Sequence, residues 1–210
     1  MARDGACYLV GGSIPEYAPT SKKFYNTSLT FAPDGKLLAT HRKVHLFDID
    51  IPGKISFHES EVLSAGNRMT IVDLPEYGRI GVAICYDVRF PELGMIAARR
   101  GCFALVYPGA FNMTTGPLHQ SLQVRARAMD NQVYTAWCSP ARDMSHSYNA
   151  WGHSALVDPN AVVMAEAEDG PTILYAEWSN ERIEEVRKGI PIYEQRRFDI
   201  YPDVAKECAD

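Results

Sequence analysis

One thiol in this 210-residue chain stands where nucleophilic chemistry could occur. Cys85 closes the apolar run Arg79-Ile80-Gly81-Val82-Ala83-Ile84, which reads as a buried strand. The chain then passes through Tyr86-Asp87-Val88-Arg89-Phe90 into a helical pattern. Pro91 suits the first helical position, Glu92 the positive end of the helix, and Gly101 the stop, with Leu93, Ile96 and Ala97 on one face. A thiol at such a turn lies near helix N–H groups, which lower its pKa and can hold an oxyanion. The same residue has a plain structural reading, because free cysteine is among the most buried residue types.

A cysteine nucleophile needs a proton acceptor and a group that steadies the oxygen that becomes negative. Six histidines (His41, His45, His58, His119, His146, His153) leave a Cys–His pair open by inventory. His41 and His45 are four residues apart, as in a metal pair on a helix. Their segment has no helical pattern and no accompanying carboxylate motif, so no metal site is predicted. Pro91 stands where a phosphatase Cys-x5-Arg loop would carry its arginine, and the chain has no GxSxG. Taken alone, Lys43 reads as a solvated basic residue within His41-Arg42-Lys43, and Glu59 as a surface carboxylate.

The elements that must position these groups read as an α/β layer architecture. Ala6–Gly12 is a short strand ending in a Gly-Gly bend that lacks a phosphate-cradle sequel. Tyr25–Phe31 and Lys36–Thr40 flank Pro33-Asp34-Gly35 and predict a hairpin. An irregular loop follows from about Asp48 to Glu61, packed down by Val44, Leu46, Phe47, Ile49, Ile51 and Phe57. Cys102–Pro108, a helix over 118–130 and Val133–Cys138 continue a strand–helix–strand order. Ser154–Asp158, Val162–Glu166 and Thr172–Ala176 predict an antiparallel meander. Asn180 is expected to cap a helix that ends at Gly189, and the aromatic and cationic tail Tyr193–Phe198 to dock on another subunit.

Composition narrows the function classes. The chain is 46% hydrophobic and 22% charged, enough for one core, and reads as a single domain over residues 1–210. Its 21 basic and 26 acidic residues give a net charge of −5 with no basic stripe, which argues against a nucleic-acid partner. No apolar run reaches the ~18 residues of a membrane span, and Met1–Gly5 predicts no signal peptide. Five cysteines without a CxxC fit a reducing compartment rather than a disulfide framework or a zinc ribbon.

Two long motifs together carry a family resemblance. His41-Arg42-Lys43-Val44-His45-Leu46-Phe47, followed by Gly81-Val82-Ala83-Ile84-Cys85-Tyr86-Asp87-Val88-Arg89-Phe90-Pro91-Glu92, resembles the carbon–nitrogen hydrolase (nitrilase) superfamily. Gly11–Glu16, Asp48–Glu59, Tyr107–Asn112, Asp130–Tyr134 and Ser139–Asp143 resemble its omega-amidase branch, so the likeness covers nearly the whole chain. The resemblance implies an α-β-β-α sandwich that pairs into a homodimer, without a cofactor, in the cytoplasm and with mitochondria as a second location. It also implies Cys85 as the nucleophile, Lys43 as the oxyanion-stabilising ammonium with the backbone N–H of Tyr86, and Glu59 as the carboxylate assisting the lysine. The family's general base is a glutamate on a first strand, within an N-terminal βαβα portion that has no counterpart before Gly11. Glu16 matches the glutamate of the Gly-Gly-Ser-Ile-Pro-Glu motif, not that base. The implied reaction is hydrolysis of small dicarboxylate monoamides such as α-ketoglutaramate and α-ketosuccinamate through a cysteine thioester. Arg127 and Tyr107 are the expected binders of the distal carboxylate. Hydrolysis of deaminated glutathione, or a non-catalytic role through association with longer subunits, are the alternatives.

Overall fold

The computed structural model describes residues 1–53 and 55–201; Lys54 and Cys208 lie outside the described residues. The first sheet forms around its longest strand. β1 (Leu9–Val10) and β2 (Ile14–Ala18) share one edge of β3 (Lys23–Phe31), and β4 (Leu37–Arg42) takes the other, all antiparallel. The expected hairpin is β3–β4, turning at Gly35 with φ +84. The strand β2 was not expected, because Pro15 interrupts its pattern. Among the described strands it pairs with β3 alone, and an edge strand tolerates the missing N–H.

The expected loop after β4 is instead a small hairpin, β5 (Asp48–Ile51) and β6 (Ile55–His58), followed by a 3₁₀ turn over Glu59–Glu61. Pro52 and Gly53 make its bend, with Gly53 at φ +72.

The second sheet has six strands in the order β12-β11-β10-β9-β8-β7. They are β7 (Thr70–Leu74), β8 (Gly78–Val82), β9 (Cys102–Pro108), β10 (Tyr134–Cys138), β11 (Ala155–Val157) and β12 (Val163–Glu166). β8, β9 and β10 run parallel, linked by α1 (Pro91–Arg99) and α2 (Gly116–Asn131), and the remaining pairs are antiparallel. Strand pleating decides the layers. Leu105 and Tyr107 of β9 join Leu93, Ala97, Val124 and Ala128 in a core beneath the helices. Ala104 and Val106 point the other way, toward Val10 and Ala39 of the first sheet. The result is a helix layer on a sheet packed on a second sheet. Gly81 permits the close approach of α1, since a Cβ there would lie 2.8 Å from that of Ala97.

Two further expectations are corrected. Thr172–Ala176 lies outside both sheets with Ile173 and Tyr175 exposed, because no neighbouring strand offers it a ladder. Ser179, not Asn180, caps α3 (Asn180–Gly189): its Oγ accepts the Arg182 N–H at 3.2 Å. The tail, including α4 (Ile192–Gln195), folds onto its own chain. Arg99 donates to the Tyr193 carbonyl at 2.7 Å, and Arg99 and Arg187 both lie over the Tyr193 ring.

Candidate active site

Three different elements deliver Lys43, Glu59 and Cys85 to one cavity of about 480 Å³. Lys43 is the first residue past β4. Its N–H donates to the Asn26 carbonyl of β3 at 2.9 Å, and its own carbonyl accepts the Gly66 N–H at 2.7 Å. Gly66 is required at that crossing, since a Cβ would sit 2.1 Å from the Arg42 carbonyl oxygen. Glu59 opens the 3₁₀ turn after β6, where its Oε2 accepts Lys43 Nζ at 2.5 Å and the Phe47 N–H at 2.7 Å. The pair is nearly dry: the lysine side chain is 2% exposed and the glutamate 13%. A single carboxylate thus holds both the ammonium and the backbone of the lysine segment.

Cys85 begins a second 3₁₀ turn, Cys85–Arg89, that connects β8 to α1. Its φ of +48 is left-handed, a conformation that costs an L-residue free energy and persists only where the surroundings enforce it. Gly109, just past β9, leaves room for this turn: a Cβ there would lie 2.6 Å from Cys85 Cα and 2.8 Å from its Cβ. The thiol donates to the Ala110 carbonyl at 3.6 Å. Tyr86 is the second residue of the turn, so its backbone N–H has no acceptor inside it. The Tyr86 ring is held between Phe47 and Phe90, at 4.9 and 5.4 Å.

The expectation that the turn would lower the thiol pKa is corrected by the packing. Burial raises it, Lys43 and the Ala110 contact pull it back, and Glu59 and Asp87 add to the rise. Burial therefore favours the neutral thiol form of Cys85. Lys43 is the one cationic group among the described lining residues, and an ammonium there can stabilise negative charge forming in the cavity.

The histidines do not partner the cysteine. His41 and His45 both face Asp87, at 3.4 and 2.9 Å. Among the described residues no three His, Cys, Asp or Glu side chains are arranged to hold a metal ion. Glu16 is engaged in a two-point pair with Arg42, at 2.6 and 2.9 Å, and accepts Thr27 as well. Its carboxyl is held below the usual range by Arg42, with burial opposing. Glu59 is the cavity's carboxylate among the described lining residues.

Arg127 and Tyr107 are not on the cavity. Arg127 of α2 is buried, donating to the Val88 carbonyl at 2.8 Å and to Asp130 at 2.7 Å, so it braces the turn after the cysteine. Tyr107 is fully buried beneath the helices, and burial pushes its phenol pKa up. Both belong to the inward face of their elements, which short-range sequence patterns did not separate from the site. The lining residues that sequence reasoning missed include Ser13, Asn26, Cys138 and Tyr148. Gly109 had a signal, since it lies inside the Tyr107–Asn112 motif. Tyr148 had none: it arrives from an irregular segment and donates to the Ala110 carbonyl at 2.7 Å.

A buried lysine and a partly buried cysteine and glutamate share one cavity in a helix–sheet–sheet frame. The family model for carbon-nitrogen hydrolases matches residues 1–188, and the chain belongs to that family. It is 56% identical over 204 residues to Hydrolase C26A3.11 of Schizosaccharomyces pombe, covering 97% of this chain and 62% of that protein. It is 58% identical over 196 residues to the Omega-amidase NIT3 of Saccharomyces cerevisiae, covering 93% of this chain and 67% of that protein. The crystal structure of S. cerevisiae Nit3, described as a member of branch 10 of the nitrilase superfamily, superposes with a TM-score of 0.86 at 53% identity, over 94% of this chain and 69% of that one. The chain therefore spans about two thirds of the length of these relatives and shares their fold over that span.

Proposed function

We propose that this chain carries the nucleophile and oxyanion site of an omega-amidase, acting on small dicarboxylate monoamides such as α-ketoglutaramate and α-ketosuccinamate. The observation that carries this reading is the convergence of Cys85, Lys43 and Glu59 on one cavity, in a chain 58% identical to the yeast omega-amidase. Cys85 Sγ attacks the amide carbonyl carbon and forms the S–C bond. The carbonyl oxygen becomes an oxyanion facing the Lys43 ammonium and the Tyr86 N–H. The thiol proton passes to a base and from there to the departing nitrogen. The C–N bond then breaks, ammonia leaves, and water later cleaves the thioester. In this reading the base is the family's glutamate, and Glu59 aims Lys43 through their ion pair at 2.5 Å.

The cavity volume suits a small ligand. With Arg127 and Tyr107 turned inward, we assign the distal carboxylate to Ser13 and Asn26, polar side chains on its lining. The assembly is taken to be a homodimer, acting in the cytoplasm.

The test is ammonia release from α-ketoglutaramate by the purified protein, with deaminated glutathione as the competing substrate and Cys85→Ala as the control. Intact-mass detection of an acyl adduct on Cys85 accompanies it. Ammonia release that survives Cys85→Ala would remove the mechanism. A preference for deaminated glutathione would move the substrate assignment. A wild-type protein that neither turns over nor acylates, and co-purifies with a longer subunit, would favour a role through association.

A further inference from the structure

The carboxylate of Asp87 contacts both catalytic segments at once. It is completely buried, two residues after the nucleophile. Oδ2 accepts the Ile84 N–H at 2.9 Å, immediately before Cys85. On the other side Oδ1 accepts both the backbone N–H and the Nδ1 of His45 at 2.9 Å, and Oδ2 faces the Val44 N–H and His41 Nε2 at 3.4 Å. Val44, His45 and His41 bracket Lys43. His41 Nδ1 is held in turn by Thr70 Oγ1 at 3.0 Å, and the His45 ring stacks on Phe90 at 3.5 Å. Burial alone would raise the carboxyl pKa, but the hydrogen bonds from His41, His45 and the backbone outweigh it and hold Asp87 ionised well below the usual carboxylate range.

We propose that Asp87 is the positioning residue of the site: one buried carboxylate ties the segment that carries the oxyanion-stabilising lysine to the turn that carries the nucleophile, and so sets the Lys43–Cys85 geometry. The inference rests on the amidase reading above only for its activity readout. It needs no contact between Asp87 and substrate. Nor does the ion pair to Glu59 replace it, because Glu59 reaches the ammonium and Phe47 but not the cysteine turn. The charged groups that bear on the thiol are Lys43, Glu59, Asp87 and Arg89.

The pair of effects expected on Asp87→Asn have opposite signs, which makes the test decisive. Loss of the Asp87 charge by itself would ease ionisation of Cys85, because that charge raises the thiol pKa. Loss of the clamp moves Lys43 away and hinders ionisation. Alkylation of Cys85 by iodoacetamide across pH, followed at the Cys85 peptide by mass spectrometry, reads the balance without any amide substrate. For Asp87→Asn we expect the alkylation midpoint to move up by about half a pH unit or more. We also expect kcat on α-ketoglutaramate to fall about 100-fold, the scale of an ångström-level misplacement, with KM within threefold.

A second variant, His45→Phe, preserves the stacking on Phe90 and removes only the side-chain donor. It should show the same upward shift and a kcat about tenfold lower, with a melting temperature close to that of the parent protein. A midpoint that is unchanged or moves down in folded Asp87→Asn overturns the proposal, as does unchanged alkylation in His45→Phe if Asp87→Asn fails to fold. If the parent protein releases no ammonia, the amidase reading fails while the alkylation arm still decides the clamp.

Discussion

Adding one methyl group at Gly109 should disable the site without replacing any of its reactive side chains. The Cβ of Gly109→Ala would stand 2.6 Å from Cys85 Cα, 2.8 Å from Cys85 Cβ and 2.9 Å from Cη2 of Trp137. Carbon atoms prefer about 3.5–4.0 Å, so the overlap is about 1 Å on two sides. Neither side can yield cheaply. Trp137 is 1% exposed in the main core, and the Gly109 N–H is tied to the Cys138 carbonyl at 2.9 Å. The nucleophile backbone, already at φ +48, is the part that moves. A shift of about 1 Å at a reacting group is worth about 100-fold in rate. Overpacking of this kind costs about 1–3 kcal/mol, and a domain of this size loses roughly 2–4 °C of melting temperature per kcal/mol. The assay is ammonia release with thermal unfolding and Cys85 alkylation on the same samples. A Gly109→Ala protein that keeps kcat/KM within threefold of the parent would refute the claim that the cysteine geometry needs glycine at position 109.

Three further outcomes are expected. Lys43→Met strands the nearly dry Glu59 carboxylate and should destabilise by about 3–5 kcal/mol. The double variant with Glu59→Leu should recover most of the stability but none of the activity, as read by a denaturant double-mutant cycle. Because burial raises the Cys85 pKa, its thiolate fraction should still be climbing above pH ~8.5, where a free thiol is half ionised, and its alkylation rate with it. A plateau below that pH would show that Lys43 outweighs burial. Gly66→Ala places a Cβ against the Arg42 carbonyl oxygen and should displace the adjoining Lys43 segment, lowering both melting temperature and kcat.

The sequence alone was enough to single out Cys85 and, through long ordered motifs, Lys43 and Glu59, because a strand–turn–helix signal and a chain of matched segments are local properties. It was also enough for the β3–β4 hairpin and for the strand–helix–strand–helix–strand order from β8 to β10, whose apolar periodicities are strong. Local patterns failed where a partner decides the state. Pro15 conceals a strand that exists because β3 supplies its ladder, and Thr172–Ala176 has strand composition but no neighbour to pair with. Arg127 and Tyr107 looked suited to a carboxylate by type, yet the pleat and the helix face turn both inward.

Tertiary structure alone decided three further things. The thiol pKa is set by burial summed over every layer around it, so a turn motif could not give its sign. Gly109 matters because β9 brings it against a turn 24 residues earlier, a contact that no window of sequence contains. Asp87 reads in sequence as one acidic residue after a cysteine. Only folding, which brings the segment after β4 beside the turn after β8, makes its carboxylate the joint between them.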